Sequence, residues 1–234
     1  MKGRALSGTS GVSHPVARAS VAPPPLASTP ALGRQRPVTR PTDGRVVRRL
    51  VNRTAVVDTL IGLFNEGVVD PSLEEIAQRA GVSARSVFRY FDSLDELRSA
   101  VVRRSFERVG LLVLTPEMRH GSLNERMVAV ADGRAALYEV VAGVARVARG
   151  HELEVAAVGA QVAAFRRQLL QQLREAFSPE LSRLRKVDAE ERLVSLAVLL
   201  SFESWDLQTR CFQRSRAQVR SGWLSAMSAL FRSR

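Results

Sequence analysis

The sequence has one cysteine, Cys211, in 234 residues, and this scarcity excludes several classes of protein. A single thiol forms no internal disulfide and supplies too few ligands for a cysteine-based zinc module. The three histidines, His14, His120 and His151, are scattered without the spacing of metal ligands. The chain also lacks a phosphate-binding loop, a dinucleotide-binding glycine motif, a zinc-protease motif and a Ser/His/Asp set. These absences argue against an enzyme, a metal site and a bound cofactor.

Long apolar runs and strand-like alternation are missing as well. The longest apolar runs, around 155–165 and 193–202, are too short to cross a bilayer. Residues 1–30 have no long apolar core before a cleavage-like site, so we expect no secretory signal. No period-two pattern predicts a β-strand. We therefore expect a cytoplasmic, all-α protein.

Acidic residues are few relative to basic ones. Asp and Glu number 23 and Lys and Arg number 35, which gives a net charge of +12. A chain this basic is expected to bind a polyanion. Nucleic acid and an anionic membrane surface both suit the charge, so a basic peripheral membrane protein is the alternative that composition leaves open. The length is sufficient for one or two domains with a substantial core.

Residues 71–91 predict two short helices joined by a tight turn. Ser72 is an N-cap that forms a capping box with Glu75, and Gly81 can end the first helix in a left-handed conformation. Ser83 caps the second helix. Its apolar stripe has helical spacing and consists of Ala84, Val87, Phe88 and Phe91. Two capped helices with such a turn are typical of a helix-turn-helix.

The second helix of this motif also has a basic face, roughly opposite Val87 and Phe91. Arg85 and Arg89 lie one turn apart on that face, Phe88 lies on one flank, and the other flank consists of Ser86 and Tyr90. Guanidinium groups donate to phosphates and guanine edges, and an apolar edge contacts thymine methyl groups. The face therefore suits the major groove of DNA. The alternative is a solvated surface that carries two arginines.

The segment from Gly81 to Ser93 resembles the DNA-binding domain of the TetR family of bacterial transcriptional repressors. The segment 63–67 resembles the end of that family's first helix, and the resemblance extends over roughly residues 45–105. It implies that the helix from Ser83 to Phe91 enters the major groove and that Ser72 lies near a phosphate.

The sequence departs from the family pattern at two positions. Phe88 replaces the usual tyrosine, so a phenolic hydrogen bond is lost while the ring contact is kept. Leu94 replaces the usual lysine, so one phosphate contact implied by the family is missing here.

The helix before the motif should begin near Arg45, bury an apolar stripe that includes Phe64, and end at Gly67. Arginines crowded at its start oppose the helix dipole, which indicates either DNA phosphate as a partner or a solvated charged turn. We predict a DNA-binding set that consists of Arg45, Arg49, Ser72, Ser83, Ala84, Arg85, Ser86, Phe88, Arg89 and Tyr90.

Residues 1–44 contain seven of the ten prolines and predict a disordered basic tail. The tail is either an arm that touches DNA backbone, a linker, or the product of a start codon placed too far upstream.

After the motif, Asp92 or Ser93 can cap a fourth helix that runs to about Val109. Ser122 and Glu125 form another capping box, and nearly everything that follows has helical periodicity. The predicted organisation is all-α, with a tail at 1–44, a helix-turn-helix domain at 45–94, a linking helix at 95–109, and a regulatory and dimerisation domain at 110–234.

Two helices of the last domain are marked by their patterns. His151 and Glu152 are predicted to open a helix whose stripe has bundle spacing, with Val155, Val158, Val162, Phe165 and Leu169. Asp188 starts a long helix that is apolar on nearly all sides over 193–202 and should therefore be buried on more than one face.

Ser215 caps the last helix, whose apolar stripe either closes its own domain or packs against a second subunit. The family resemblance implies homodimers that join through their last two long helices. We therefore predict a dimer interface at Phe202, Val219, Trp223, Met227 and Leu230.

The resemblance also implies a small, often apolar effector bound in the helical domain. The candidate pocket residues are Met127, Tyr138, Phe165 and Trp205. The alternative is that these four side chains belong to the core.

Overall fold

A computed structural model of the chain describes residues 44–110 and 115–232, which form helices and turns and no β-strand. The all-α prediction is confirmed. The tail predicted for residues 1–44 lies outside the described residues, except for Gly44. The helices are α1 Gly44–Asn65, α2 Leu73–Arg79, α3 Ala84–Tyr90, α4 Leu94–Val109, α5 Leu123–His151, α6 Ala156–Ala176, α7 Ser178–Leu181, α8 Lys186–Leu199, α9 Phe202–Asp206 and α10 Arg216–Arg232.

The first four helices pack around one apolar cluster. Helical spacing buries one face of α1, including Leu60 and Phe64, and α4 contributes Leu97 and Val101, as predicted. The same cluster includes residues from the end of α5 and the start of α6, among them Val162. A four-helix unit of this size buries little surface on its own, so the shared cluster stabilises it against the bundle.

The end of α1 lies very close to α5. A Cβ atom at Gly143 would lie 2.3 Å from the carbonyl oxygen of Phe64, so only glycine allows this approach. The helix runs through Gly143 without interruption.

A second apolar cluster fills the bundle of α5 to α10. Val219, Trp223 and Met227 are fully buried in it, and Leu230 packs against it. The prediction that Val219, Trp223 and Met227 form the dimer interface is therefore wrong, because these side chains close the core of their own chain.

Serine hydroxyl oxygens accept from the backbone N–H three residues later at the start of six described helices. Five of these caps were predicted, namely Ser72, Ser83, Ser93, Ser122 and Ser215, and Ser201 is the sixth. Ser122 and Glu125 form the reciprocal capping box. At Ser72 the box is incomplete, since the Glu75 carboxylate lies 3.7 Å from the Arg79 guanidinium.

Two predictions about the later helices are wrong. His151 ends α5, and α6 begins at Ala156 instead of at His151. The segment 193–202 is not buried on several faces, because α8 ends at Leu199 and leaves Val194 and Val198 exposed by 50% and 65%.

Within residues 44–110 and 115–232, no helix combines the length and apolar character needed to span a membrane. The same ranges contain no cluster of three or more His, Cys, Asp or Glu side chains arranged for a metal ion.

Candidate nucleic-acid interface and bundle cavity

The outer face of α3 is basic and aromatic. Arg85, Phe88 and Arg89 are exposed, and Arg85 has no hydrogen bond or ion pair within the described part of the chain. Phe88 is 60% exposed, so it does not share the buried face of Val87 and Phe91, and it lies on the outer face as expected of a residue in the DNA-binding set. The short helix contacts the core through Val87 and Tyr90, and Phe88 lies about 100° further round the helix from Val87.

Tyr90 is buried, so its predicted place on the exposed flank of α3 is wrong. Its hydroxyl accepts a hydrogen bond from Asn52 Nδ2 at 3.1 Å, and Arg89 Nη2 lies 3.4 Å from the same oxygen. These two hydrogen bonds hold the pKa of the Tyr90 phenol below its usual value, and the one from Asn52 has the larger effect. Tyr90 therefore joins α3 to α1.

Two arginines of α1 fix the C-terminal end of α3. Arg49 Nη2 donates to the carbonyl oxygen of Arg89 at 3.1 Å, and Arg53 Nε donates to that of Tyr90 at 3.3 Å. These carbonyls lack partners within the helix, and a cation is favourable at this end of the helix dipole. Arg53 also pairs with Glu96 at 2.9 Å and lies over the ring of Phe91. Arg53 belongs to the arginines crowded at the start of α1, which were expected to meet phosphate, and Asn52 had no predicted role. Their partners lie 37 to 43 residues away.

The remaining predicted residues lie around this face. Arg45 and Arg49 are exposed near the start of α1, Ser72 and Ser83 are exposed caps, and Ala84 and Ser86 are half-buried. The hydroxyl oxygens of Ser83 and Ser86 lie 2.9 Å apart. The structure thus places the predicted DNA-binding residues on one surface around α3, with the exception of Tyr90.

Polar contacts connect α4 to both neighbouring helices. Arg104 Nε donates to Asp58 Oδ1 on α1 at 2.7 Å, and Arg108 Nη2 lies 2.8 Å from the same oxygen. The hydrogen bond from Arg104 is the main cause of the lowered pKa of Asp58. On the other side, Gln161 Nε2 of α6 donates to Ser99 Oγ of α4 at 2.8 Å.

A cavity of about 540 Å³ lies between α4, α5, α6 and α8, and its wall is mainly apolar. Tyr138 and Phe165 line it, as predicted, whereas Met127 and Trp205 belong to the surrounding core. Phe202, predicted for the dimer interface, lines the cavity and packs edge-on against Tyr138. Phe202 is half-buried, so its place in the dimer interface stays a prediction.

Residues 58–101 match the family model of bacterial regulatory proteins, tetR family. The matched segment runs from the middle of α1 into α4. No curated protein matches the chain by sequence.

Solved structures with a similar fold include two transcriptional regulators. A tetR-family transcriptional regulator from Streptomyces coelicolor is 20% identical, covers 76% of this chain and 79% of its own, and has a TM-score of 0.63. A transcriptional regulator from Rhodococcus sp. Rha1 is 18% identical, covers 79% of this chain and 96% of its own, and has a TM-score of 0.56. At these identities the likeness establishes the fold. The matched segment contains all of α2 and α3, and most of the chain shares the fold of these regulators. Residues 58–101 therefore resemble a tetR-family DNA-binding segment, and the chain is a DNA-binding transcription regulator.

Proposed function

We propose that this regulator is a homodimeric repressor that binds a pseudo-palindromic operator and responds to an effector in the bundle cavity. The observation that carries the operator proposal is the guanidinium of Arg85, which has no partner in the described part of the chain, together with the exposed ring of Phe88. We infer that Arg85 contacts a base edge and that Phe88 contacts a thymine methyl group. Such a regulator would act in the cytoplasm, on the DNA itself.

The proposed roles of the two α3 arginines differ because their surroundings differ. Arg89 lies 3.4 Å from both Ser86 Oγ and the Tyr90 hydroxyl, and over the Tyr90 ring. A side chain held in this way is suited to a phosphate contact, which positions the protein without selecting a base. The other polar groups around α3 are proposed for phosphate contacts as well: Arg45, Arg49, Ser72, Ser83 and Ser86.

Dimerisation is proposed through the outer faces of α8 and α10. Val187, Val194 and Val198 follow one another at seven and four residues, so they share one face of α8. Val187 is 69% exposed, and Val194 and Val198 lie where this face meets the cavity. On α10, Ala217 and Ser221 present small side chains to solvent. Two copies of such faces, related by a two-fold axis, can form a four-helix contact. The dimer would present one α3 to each of two successive major grooves.

The route from the cavity to the DNA-binding unit is proposed to run through α4 and α6. Phe106 of α4 stacks on Phe165 of α6 with ring centroids 4.1 Å apart, and both rings line the cavity. Val162 belongs both to the cavity wall and to the apolar cluster of α1 to α4. A ligand that binds one arrangement of these helices better than another shifts the equilibrium between them and changes the separation of the two α3 helices.

The test is a gel-shift selection of the full chain on fragments of its own source genome, followed by competition on the recovered duplex. We expect unlabelled specific duplex to compete and random duplex to compete poorly. Vesicles of anionic lipid form a second arm, which addresses the membrane alternative. Equal competition by random DNA would overturn the operator proposal, as would vesicle binding that specific DNA leaves unchanged.

A further inference from the structure

We propose that the effector of the bundle cavity is an amphipathic monocarboxylate, with an apolar body against the cavity wall and its carboxylate paired with Arg134. This inference rests on the proposed effector role of the cavity. It is carried by a buried cation that has no anionic partner among the residues that the structure describes.

Arg134 lines the cavity and is only 3% exposed. Its Nη1 donates to the Tyr138 hydroxyl at 3.2 Å, and its Nη2 donates to the carbonyl oxygen of Leu169 at 2.7 Å. The Nε–H is buried without a hydrogen-bond partner. No carboxylate among residues 44–110 and 115–232 forms an ion pair with it. Since guanidinium stays protonated in proteins, its charge is buried uncompensated.

Another buried arginine on α5 shows how the chain satisfies such a group when its role is structural. Arg126 lies eight residues earlier and is 4% exposed. It forms a two-pronged pair with Glu180, at 2.9 Å from Nη1 and 2.6 Å from Nη2, and also donates to the carbonyl oxygen of Ala176. A ligand carboxylate at Arg134 would supply the anion that Glu180 supplies at Arg126.

Apart from Arg167, which is exposed to solvent at the rim, the other ionisable groups around the cavity have partners within the described chain. The Tyr138 hydroxyl donates to the carbonyl oxygen of Leu200 at 2.6 Å, and burial raises the pKa of Tyr138, so its phenol is neutral and supplies no anion. Arg166 pairs with Glu152 and Glu203. Arg149, which also lines the cavity, pairs with Asp206.

The wall and the volume define the rest of the ligand. Apolar side chains from all four helices surround the space, including Phe106, Val141, Leu173 and Val198. Its volume of about 540 Å³ lies within the range of small-molecule pockets, roughly 300–1,000 Å³. One buried free cation in such a wall favours a single carboxylate on an apolar body, and it disfavours an amine.

The experiment compares decanoate, decanol and decylamine by titration calorimetry against the full chain. These probes share one alkyl chain and differ in the head group. We expect decanoate to bind about 10- to 100-fold more tightly than decanol, since hydrogen bonds to charged groups contribute that much, and decylamine to bind most weakly. Equal affinity for decanoate and decanol, or binding of neither probe, would overturn the proposal without reference to any variant.

Two variants locate the carboxylate. Arg134→Met keeps a long apolar side chain and removes the charge, so we expect it to lose the preference for decanoate while it still binds decanol. Arg167→Gln, at an exposed position on the cavity rim, is the matched control and should keep the preference. Loss of the preference in Arg167→Gln alone would overturn the assignment to Arg134.

Operator release separates this inference from the proposed function. If decanoate binds with a preference that depends on Arg134 but leaves operator affinity unchanged, the carboxylate assignment is supported and the effector role fails. If decanol and decanoate bind equally and both release the operator, the effector role is supported and the carboxylate assignment is overturned.

Discussion

The junction of α1 with α3 and the cavity of the bundle use arginine in opposite ways. At the junction, Arg49 and Arg53 donate to the carbonyls that end α3 and remain partly open to water. In the cavity, Arg134 is buried and has no counter-ion within the described ranges. Partly exposed pairs contribute little free energy, so they are suited to orienting a helix. A buried unpaired charge is costly, so its retention favours a role in ligand recognition.

The substitution with the largest expected effect on the bundle is Trp223→Asp. Trp223 is fully buried, so the substitution places a carboxylate in the core, and we expect it to lower the free energy of unfolding by more than about 4 kcal/mol. Urea denaturation followed by circular dichroism measures this loss. A Trp223→Asp chain that unfolds at the wild-type urea concentration would contradict the burial of Trp223.

A charge on the outer face of α8 should separate subunits without unfolding them. Val187 is exposed and lies outside the cavity wall, and an acid suits the first turn of a helix. We expect Val187→Asp to raise the dimer dissociation constant at least about tenfold while the helix content stays unchanged. Sedimentation measures it, with Val69→Asp as the control at another exposed valine. Equal dissociation constants in both variants would remove this face from the proposed interface.

Two arginines near α3 separate base recognition from helix positioning. Arg85→Ala should weaken binding to the specific duplex by about 1–3 kcal/mol, relax the preference at one base pair and leave stability unchanged. Arg53→Ala should lower the free energy of unfolding by about 1 kcal/mol, because it removes bonds to Tyr90 and Glu96. Binding to a panel of single-base operator variants, together with urea denaturation, distinguishes them. The assignment of Arg85 fails if its alanine variant keeps wild-type sequence preference.

Deleting residues 1–40 should have the smallest effect. We expect the described fold and the preferred site to be unchanged, because Pro-rich segments with few large apolar residues bury little surface. Arg34, Arg36 and Arg40 lie nearest to α1 in sequence, and their loss should flatten the slope of log K against log salt by roughly one to three units. Salt titrations of both chains on specific and random DNA measure this. Identical slopes would show that the tail takes no part, and a loss confined to the specific duplex would mean that it recognises sequence.

Features with short sequence separations were predictable from the sequence alone. The serine caps and the turn at Gly81 depend on partners within a few residues, and Gly81 has the expected positive φ of 67°. The helix-turn-helix is defined by the same local signals, and it was therefore identified together with the basic face that contains Arg85.

Helical periodicity by itself did not show which residues at the edge of an apolar stripe are buried and which are exposed. Phe88 and Tyr90 both flank the core direction of α3, and the sequence pattern placed both beside the exposed basic face. The tertiary structure buries Tyr90 because Asn52, 38 residues away, satisfies its hydroxyl. Similarly, the apolar stripe of α10 was compatible both with a subunit interface and with the core of its own chain. In the structure it packs against α5 and α8 and therefore belongs to the core.

The sequence by itself determined the all-α class, the helix-turn-helix and the basic surface, because each follows from residues that are neighbours in the chain. Only the tertiary structure decided which arginines anchor α3 and which one is buried in the cavity. The reason is distance along the chain: the partner of Arg134 Nη2 lies 35 residues away, and that of the Tyr138 hydroxyl lies 62 residues away. Whether a polar group is satisfied depends on such long-range partners, which local patterns do not contain.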